Sequence, residues 1–206
     1  MVELAQQDNM QGKLIVLYGA NNLGKSTQVE LLEKSLQEKG LSAKRIKYPI
    51  YDLEPTGPLI NSVLREGKSM DEEELQNTFA QNKRDYEPQL KELLNSGTHV
   101  IAEDYTGTGI AWGMVRGVDI ETLEKMNVGI YVPDIAIMLT GQRFESGRES
   151  THRNETNDTI WQTAKEKHDF LAERYSWHTV NANQSVEDVQ TDIIKILEQQ
   201  QIISVE

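Results

Sequence analysis

Short apolar runs alternate with longer segments of helical spacing along the 206-residue chain. The apolar runs predict five strands, at residues 14–18, 43–48, 99–102, 135–139 and 178–180. The helical spacings predict helices at residues 26–39, 59–65, 71–95, 159–175 and 186–197. Strands that alternate with helices indicate an α/β fold, in which helices flank both faces of a parallel sheet of five strands.

A polar segment interrupts this pattern between the fourth strand and the helix at 159–175. Residues 142–157 contain three arginines and few apolar side chains, which predicts a mobile loop. Neither a repeat nor a linker is evident elsewhere. The whole chain, 1–206, is therefore predicted to be a single domain with its core at about 11–200.

The segment after the first strand has the pattern G-x-x-x-x-G-K-[ST], which is typical of a phosphate-binding loop between a strand and a helix. Gly19 and Gly24 allow the backbone N–H groups to converge on phosphate oxygens. Lys25 supplies a cation for the β and γ phosphates, and the Ser26 hydroxyl can bind Mg²⁺. The predicted ATP contacts in this loop are Gly19, Asn21, Asn22, Leu23, Gly24, Lys25, Ser26 and Thr27.

The composition of the chain limits which binding partners and which cellular compartment are expected. The net charge of −12 argues against binding to nucleic acid or to an anionic membrane surface, since both need basic surfaces. The sequence has no cysteine, no apolar run long enough for a membrane span and no signal-peptide-like start. A soluble cytoplasmic protein is the prediction.

Five segments, in order, resemble the thymidylate kinase family of P-loop nucleoside monophosphate kinases. The segment Phe79-Ala80-Gln81-Asn82-Lys83 is similar to the family's Phe-Ala-Ala-Asn-Arg. Residues 103–112, beginning Glu103-Asp104-Tyr105, look like the family's Asp-Arg-Tyr-x-x-Ser-x-x-Ala-Tyr. Two further segments are the phosphate loop at 19–28 and Tyr48-Pro49, for which Glu54-Pro55-Thr56-Gly57 is the alternative. The last consists of Pro133-Asp134, an arginine-bearing lid at about 142–157, and Val180-Asn181-Ala182.

The resemblance implies a P-loop NTPase fold, ATP on the loop, an acceptor nucleotide over the second and third strands, and a homodimer. Carried over by position, Phe79 would stack on the acceptor base and Tyr105 would lie beneath the deoxyribose. The remaining implied acceptor contacts are Tyr48, Pro49, Lys83, Arg84, Asp104, Thr108 and Trp112. Asn181 and Ala182 match the adenine-side loop, and the lid arginines are Arg143, Arg148 and Arg153, of which Arg153 is the best match.

The acceptor site departs from the family pattern at its charged positions. The arginine after the second strand is replaced by Tyr51 or Leu53, depending on the alignment, and the arginine after the third strand by Asp104. Lys83 stands where the family has the arginine that reads the thymine edge. In the phosphate loop, Asn21 stands where the family has a carboxylate. Asn22 stands where some members of the family have an arginine.

Three functions fit these observations. The leading one is transfer of the ATP γ-phosphoryl group to a deoxynucleoside monophosphate, with dTMP as the first candidate. In that reaction Glu103 would orient the acceptor or the water ligands of Mg²⁺, and a lid arginine would stabilise the transition state. A deoxynucleoside or other small-molecule kinase is the alternative, because a neutral hydroxyl would suit the added carboxylate, with Glu103 or Asp104 as general base. A nucleotide-binding protein without kinase activity is the third.

Overall fold

The sheet of the computed structural model contains five strands, all parallel, in the order β2-β3-β1-β4-β5. The model describes residues 12–144 and 158–203. The strands are β1 (Leu14–Tyr18), β2 (Ala43–Lys47), β3 (His99–Glu103), β4 (Ile135–Thr140) and β5 (His178–Asn181). The five predicted strands and the α/β class are confirmed.

Seven helices surround the sheet within the described residues. They are α1 (Lys25–Glu38), α2 (Thr56–Arg65), α3 (Glu72–Asn95), α4 (Thr106–Val115), α5 (Ile120–Met126), α6 (Asp158–Arg174) and α7 (Val186–Gln199). The Asp71 side chain caps α3 by accepting from the backbone N–H of Glu73 at 2.9 Å. The helix then continues through Pro88.

The sequence pattern predicts neither α4 nor α5. Glycines such as Gly107 and Gly113 lower the helix propensity of α4, so its stability must come from packing. A Cβ on Gly107 would lie 2.3 Å from Trp177, and one on Gly113 would lie 2.5 Å from Leu123 of α5. The glycines therefore let α4 approach its neighbours closely, and tertiary contact overrides local propensity.

The core lies on both faces of β1, whose residues are all at most 1 % exposed. Ile15 and Leu17 pack with α1 and α7, while Leu14 and Val16 pack with α3 on the opposite face. This burial on both faces is typical of a parallel strand at the centre of an α/β sheet. No helix within residues 12–144 and 158–203 is long and apolar enough to cross a membrane.

Candidate active site

A cavity of about 450 Å³ opens at the carboxyl ends of β1, β2 and β3, where ligands bind in open parallel sheets. Its walls come from the phosphate loop, the segment after β2, α3 and α4. The structure brings together there most of the predicted site residues: Asn21, Asn22, Gly24, Lys25, Ser26, Thr27, Tyr48, Pro49, Phe79, Lys83, Glu103, Asp104, Tyr105, Thr108 and Trp112.

The phosphate loop has the backbone geometry that its glycines predict. Gly24 has φ 80°, and Gly19 has φ 137° with room for no side chain, since a Cβ would lie 2.6 Å from the Leu139 carbonyl oxygen. Leu23 is buried in the core beneath the loop. Helix α1 starts at Lys25, so the positive end of its dipole is at the cavity.

The Lys25 ammonium is held close to the loop itself. Its Nζ donates to the carbonyl oxygens of Gly19 at 2.8 Å and Ala20 at 3.0 Å, and it lies 3.7 Å from Asp104 Oδ1. The side chain is only 6 % exposed. The cation predicted for the donor phosphates is thus already at the loop.

Glu103 joins the loop to β2. Its Oε1 accepts from Ser26 Oγ at 2.8 Å and from Lys47 Nζ at 2.8 Å. The contact with Lys47 follows from the sheet register, which pairs Lys47 with Glu103. Partial burial lowers the pKa of Lys47, but attraction to Glu103 outweighs it, so the net pKa lies above its ordinary value.

Ser26 and Glu103 offer a suitable partial ligand set for Mg²⁺. A hydroxyl and a carboxylate are hard oxygen donors, and Mg²⁺ commonly takes few protein ligands together with nucleotide phosphates and water. The residues described contain no cluster of three or more His, Cys, Asp or Glu that could hold a metal by itself. The donor set therefore fits a metal that arrives with the nucleotide.

Aromatic side chains form the other half of the cavity. The rings of Tyr48 and Tyr105 meet edge to face, with centroids 4.9 Å apart, and Phe79 and Trp112 line the same space. The hydroxyls of Tyr48 and Tyr105 are buried and have no hydrogen-bond partner within residues 12–144 and 158–203. Burial raises the pKa of both tyrosines, so both stay neutral. This half can stack a planar base and present polar groups to it.

Comparison with known proteins identifies the family. The thymidylate kinase family model matches residues 17–193. The chain belongs to the thymidylate kinase family. It is 28 % identical over 195 residues to thymidylate kinase from Dictyostelium discoideum, covering 91 % of this chain and 86 % of that protein.

Two further relatives agree. The chain is 27 % identical over 188 residues to thymidylate kinase from Homo sapiens, covering 89 % of this chain and 88 % of that one. The solved structure of thymidylate kinase from Candida albicans superposes with a TM-score of 0.78 at 23 % identity, covering 95 % of this chain and 96 % of that chain, which confirms the fold. The protein is thus a phosphotransferase of the thymidylate kinase family.

The kinase carries a carboxylate where the resemblance leads one to expect a phosphate-binding arginine. Asp104 adopts the left-handed φ of 62°, donates its N–H to the Leu17 carbonyl at 3.1 Å, and accepts from Thr108 Oγ1 at 2.9 Å. Lys83, on α3, donates to the Phe79 carbonyl at 3.1 Å. Burial lowers the pKa of Lys83 to about 7, and attraction to Asp104 opposes that shift.

Arg84 corrects one prediction for the acceptor site. Its Nη2 donates to the Met126 carbonyl oxygen at 2.5 Å and to that of Val128 at 3.4 Å, and it does not line the cavity. On α3, Lys83 and Arg84 are adjacent in sequence and so point in different directions. Arg84 therefore stabilises the end of α5, and Lys83 alone of this pair is in the site.

Arg143 also lies outside the cavity. Its guanidinium pairs with Asp158 and lies 5.4 Å from the centroid of the Trp161 ring, while Trp161 Nε1 donates to the Asn21 carbonyl at 2.7 Å. The structure thus places Arg143 beside the loop, against α6, instead of over the reacting groups. Arg148, Arg153 and most of the predicted lid lie outside the described residues.

Asn181 and Ala182 lie near the loop at the end of β5, but they do not line the cavity. The Ala182 N–H donates to the Thr140 carbonyl at 2.8 Å, and Asn181 Oδ1 accepts from the Asn183 N–H at 3.0 Å. The buried Gln28 of α1 donates to the Val186 carbonyl at 3.0 Å, which ties this turn to the loop helix. The adenine-side role of the turn stays a prediction.

Phe144 and Lys47 are among the cavity residues that sequence reasoning missed. Phe144 donates its N–H to the Asn22 carbonyl at 2.8 Å and places its ring 3.6 Å from where a Cβ on Gly24 would lie. Nothing in the sequence marks it, because the contact depends on how the chain leaves β4. Lys47 had a usable signal, since it is a cation at the carboxyl end of a strand, immediately before Tyr48-Pro49.

Proposed function

We propose that this kinase transfers the γ-phosphoryl group of ATP to the 5′-phosphate of dTMP, with Mg²⁺ bound to the nucleotide. The observation that carries the proposal is the single cavity in which the phosphate loop faces the aromatic pocket across Glu103. A donor and an acceptor phosphate can meet only where these two halves adjoin. The predicted homodimer, cytoplasmic location and single-domain organisation belong to the same proposal.

In this mechanism an oxygen of the dTMP phosphate attacks the γ-phosphorus while the bond to the bridging oxygen of ADP breaks. The protein contributes alignment and charge, since the transition state needs little covalent chemistry from it. Lys25 and the N-terminus of α1 offset the charge of the donor phosphates. Ser26 and Glu103 would hold the Mg²⁺ that accompanies the nucleotide, and this ion would supply further charge neutralisation. Arg148 and Arg153 stay the candidates for a lid cation.

The family assignment favours the monophosphate acceptor over the unphosphorylated nucleoside. The intact pair of Lys25 and Ser26, both at the cavity, argues against a binding protein without turnover. A carboxylate base for a nucleoside hydroxyl would also need to be available. Asp104 is instead held by Thr108 and faces Lys25 at 3.7 Å.

ADP formation with a panel of acceptors tests the proposal. dTMP, the other deoxynucleoside monophosphates and thymidine are each supplied with ATP and Mg²⁺, and Lys25→Ala measures the background. We expect turnover of dTMP and none of thymidine. Turnover of thymidine that exceeds that of dTMP would establish the nucleoside kinase, and ADP formation at the Lys25→Ala level with every acceptor would establish the binding protein.

A further inference from the structure

The charge of the acceptor phosphate has no obvious partner at the positions that the family resemblance indicates. A nucleoside monophosphate carries between one and two negative charges at neutral pH. The two positions at which the family has arginines are taken by Asp104 and by either Tyr51 or Leu53, and Asp104 and Tyr51 line the cavity. A phosphate placed beside Asp104 is repelled unless a cation lies between them.

Besides Lys25 of the phosphate loop, Lys47 is a described cation that direct contacts tie to the reacting centre. Its Nζ and Ser26 Oγ donate to the same oxygen of Glu103, each at 2.8 Å. Lys47 Nζ therefore lies within two hydrogen-bond lengths of the hydroxyl that fits Mg²⁺. The acceptor phosphate has to reach this place, because it must contact the γ-phosphate in line.

The sheet places Lys47 on the acceptor side of Glu103. β3 lies between β1, which carries the phosphate loop, and β2, which ends at Lys47. Tyr48 and Pro49 follow Lys47 directly and line the cavity. The Lys47 side chain is 58 % exposed, so its ammonium has the freedom to turn from Glu103 to a ligand in the cavity.

Two other cations that line the cavity, Lys83 and Arg65, make contacts with groups other than Glu103. Lys83 is fully enclosed beside α4, where its Nζ would be 4.0 Å from a Cβ on Gly109, and it donates to the Phe79 carbonyl. That position suits the base end of the acceptor. Arg65 places its guanidinium 4.7 Å from the centroid of the Tyr51 ring.

We propose that Lys47 binds the 5′-phosphate of the acceptor, in place of the arginines that this chain lacks after its second and third strands. This inference rests on the proposed function. Glu103 accepts a hydrogen bond from the Lys47 ammonium and so keeps it where the phosphate loop adjoins the aromatic pocket. When dTMP binds, the phosphate takes the ammonium as a charge-assisted partner, and Glu103 is left to Ser26 and to the metal.

Binding measured without ATP and Mg²⁺ isolates this contact from catalysis. Calorimetry gives Kd for dTMP and for thymidine with the unmodified protein, Lys47→Met, Lys47→Gln and Lys47→Arg. Lys44→Met is the matched control, because Lys44 is an exposed lysine on the same strand that lies outside the cavity. ATP binding and circular dichroism are measured for every variant.

We expect both neutral variants at position 47 to weaken dTMP binding about tenfold to a hundredfold, the range for loss of a hydrogen bond to a charged group. Thymidine and ATP binding should stay unchanged, Lys47→Arg should restore most of the dTMP affinity, and Lys44→Met should resemble the unmodified protein. This difference between dTMP and thymidine is one that a merely structural role of Lys47 would not produce.

Other results would overturn the inference in distinguishable ways. Equal dTMP affinity in the unmodified protein and both neutral variants would remove Lys47 from the acceptor site and leave the proposed function intact. Parallel loss of dTMP and thymidine affinity would show that Lys47 shapes the pocket instead of binding phosphate. No dTMP binding by the unmodified protein would overturn the proposed function, and this inference with it.

Discussion

The donor and acceptor halves of the cavity are built in different ways. The donor half is one continuous segment, residues 19–27, between a buried strand and a helix. The groups that such a loop offers to phosphate are mainly backbone N–H groups, whose direction depends here on the φ angles of Gly19 and Gly24. The acceptor half gathers side chains from the end of β2, from α3, from the end of β3 and from α4.

This difference explains why one half keeps the family pattern and the other departs from it. A backbone cradle depends on a few glycines in a fixed order, so a change there removes the site. A pocket of side chains from separate elements can keep its shape while the charged groups change position. Asp104 and Lys83 show such changes, and they make the acceptor half the better place for experiments.

The largest expected effect comes from the donor half. Lys25→Ala removes the cation that offsets the donor phosphates, so we expect kcat to fall by about 10²–10³-fold or more. The fold should persist, because the Lys25 ammonium contacts the loop carbonyls and Asp104 at the cavity and none of the apolar core. Steady-state kinetics and thermal unfolding check both statements. A fall in kcat that is accompanied by a clear fall in Tm would show that Lys25 stabilises the folded loop instead of the transition state.

The acceptor half should respond to pH through Lys83. Its pKa of about 7 means that the charged fraction falls as pH rises through neutrality. If the ammonium binds dTMP, Kd should rise between pH 6 and pH 8, by up to about tenfold per pH unit above the pKa. Lys83→Arg should abolish that slope, since an arginine stays charged throughout.

Lys83 should make the free energy of unfolding rise with pH, whereas it makes dTMP affinity fall with pH. The pKa is about 7 in the folded protein and has an ordinary value of 10.5, so between these values the unfolded chain binds more protons. This group therefore makes the folded state more stable as pH rises from 7 towards 10.5. Lys83→Met should raise Tm at pH 7 while weakening dTMP binding. A lower Tm would show that Lys83 contributes to packing.

The sequence was informative where the chemistry is local. The phosphate loop, the strands and the α/β class follow from a contiguous motif and from apolar runs, and all appear as predicted. Helix α4 was not predictable, because its glycines are explained only by the approach of Trp177 and Leu123. The contact of Lys47 with Glu103 likewise needs the β2–β3 register. Sequence spacing shows that Lys83 and Arg84 point in different directions on α3, but it does not show which of the two faces the cavity.

A smaller effect is expected from removal of the charge at position 104. Asp104→Asn keeps an oxygen for Thr108 and tolerates the left-handed φ of 62°. Loss of the carboxylate removes its repulsion of the acceptor phosphate, so dTMP should bind more tightly, by roughly 1 kcal/mol, the Coulomb energy of two unit charges about 4 Å apart in water. Calorimetry with thymidine as the control ligand checks this, because only dTMP affinity should change.

The smallest effect on binding is expected at Arg84, the neighbour of Lys83. Its guanidinium holds the carbonyls of Met126 and Val128 at the end of α5 and does not line the cavity. Arg84→Ala should therefore lower the free energy of unfolding by roughly 1 kcal/mol, the scale for loss of a partly exposed hydrogen bond. KM for dTMP should stay within about twofold, because α5 supplies no residue to the cavity. An increase in KM comparable to that of Lys83→Met would place Arg84 at the acceptor after all, and the two adjacent cations would then act as one unit.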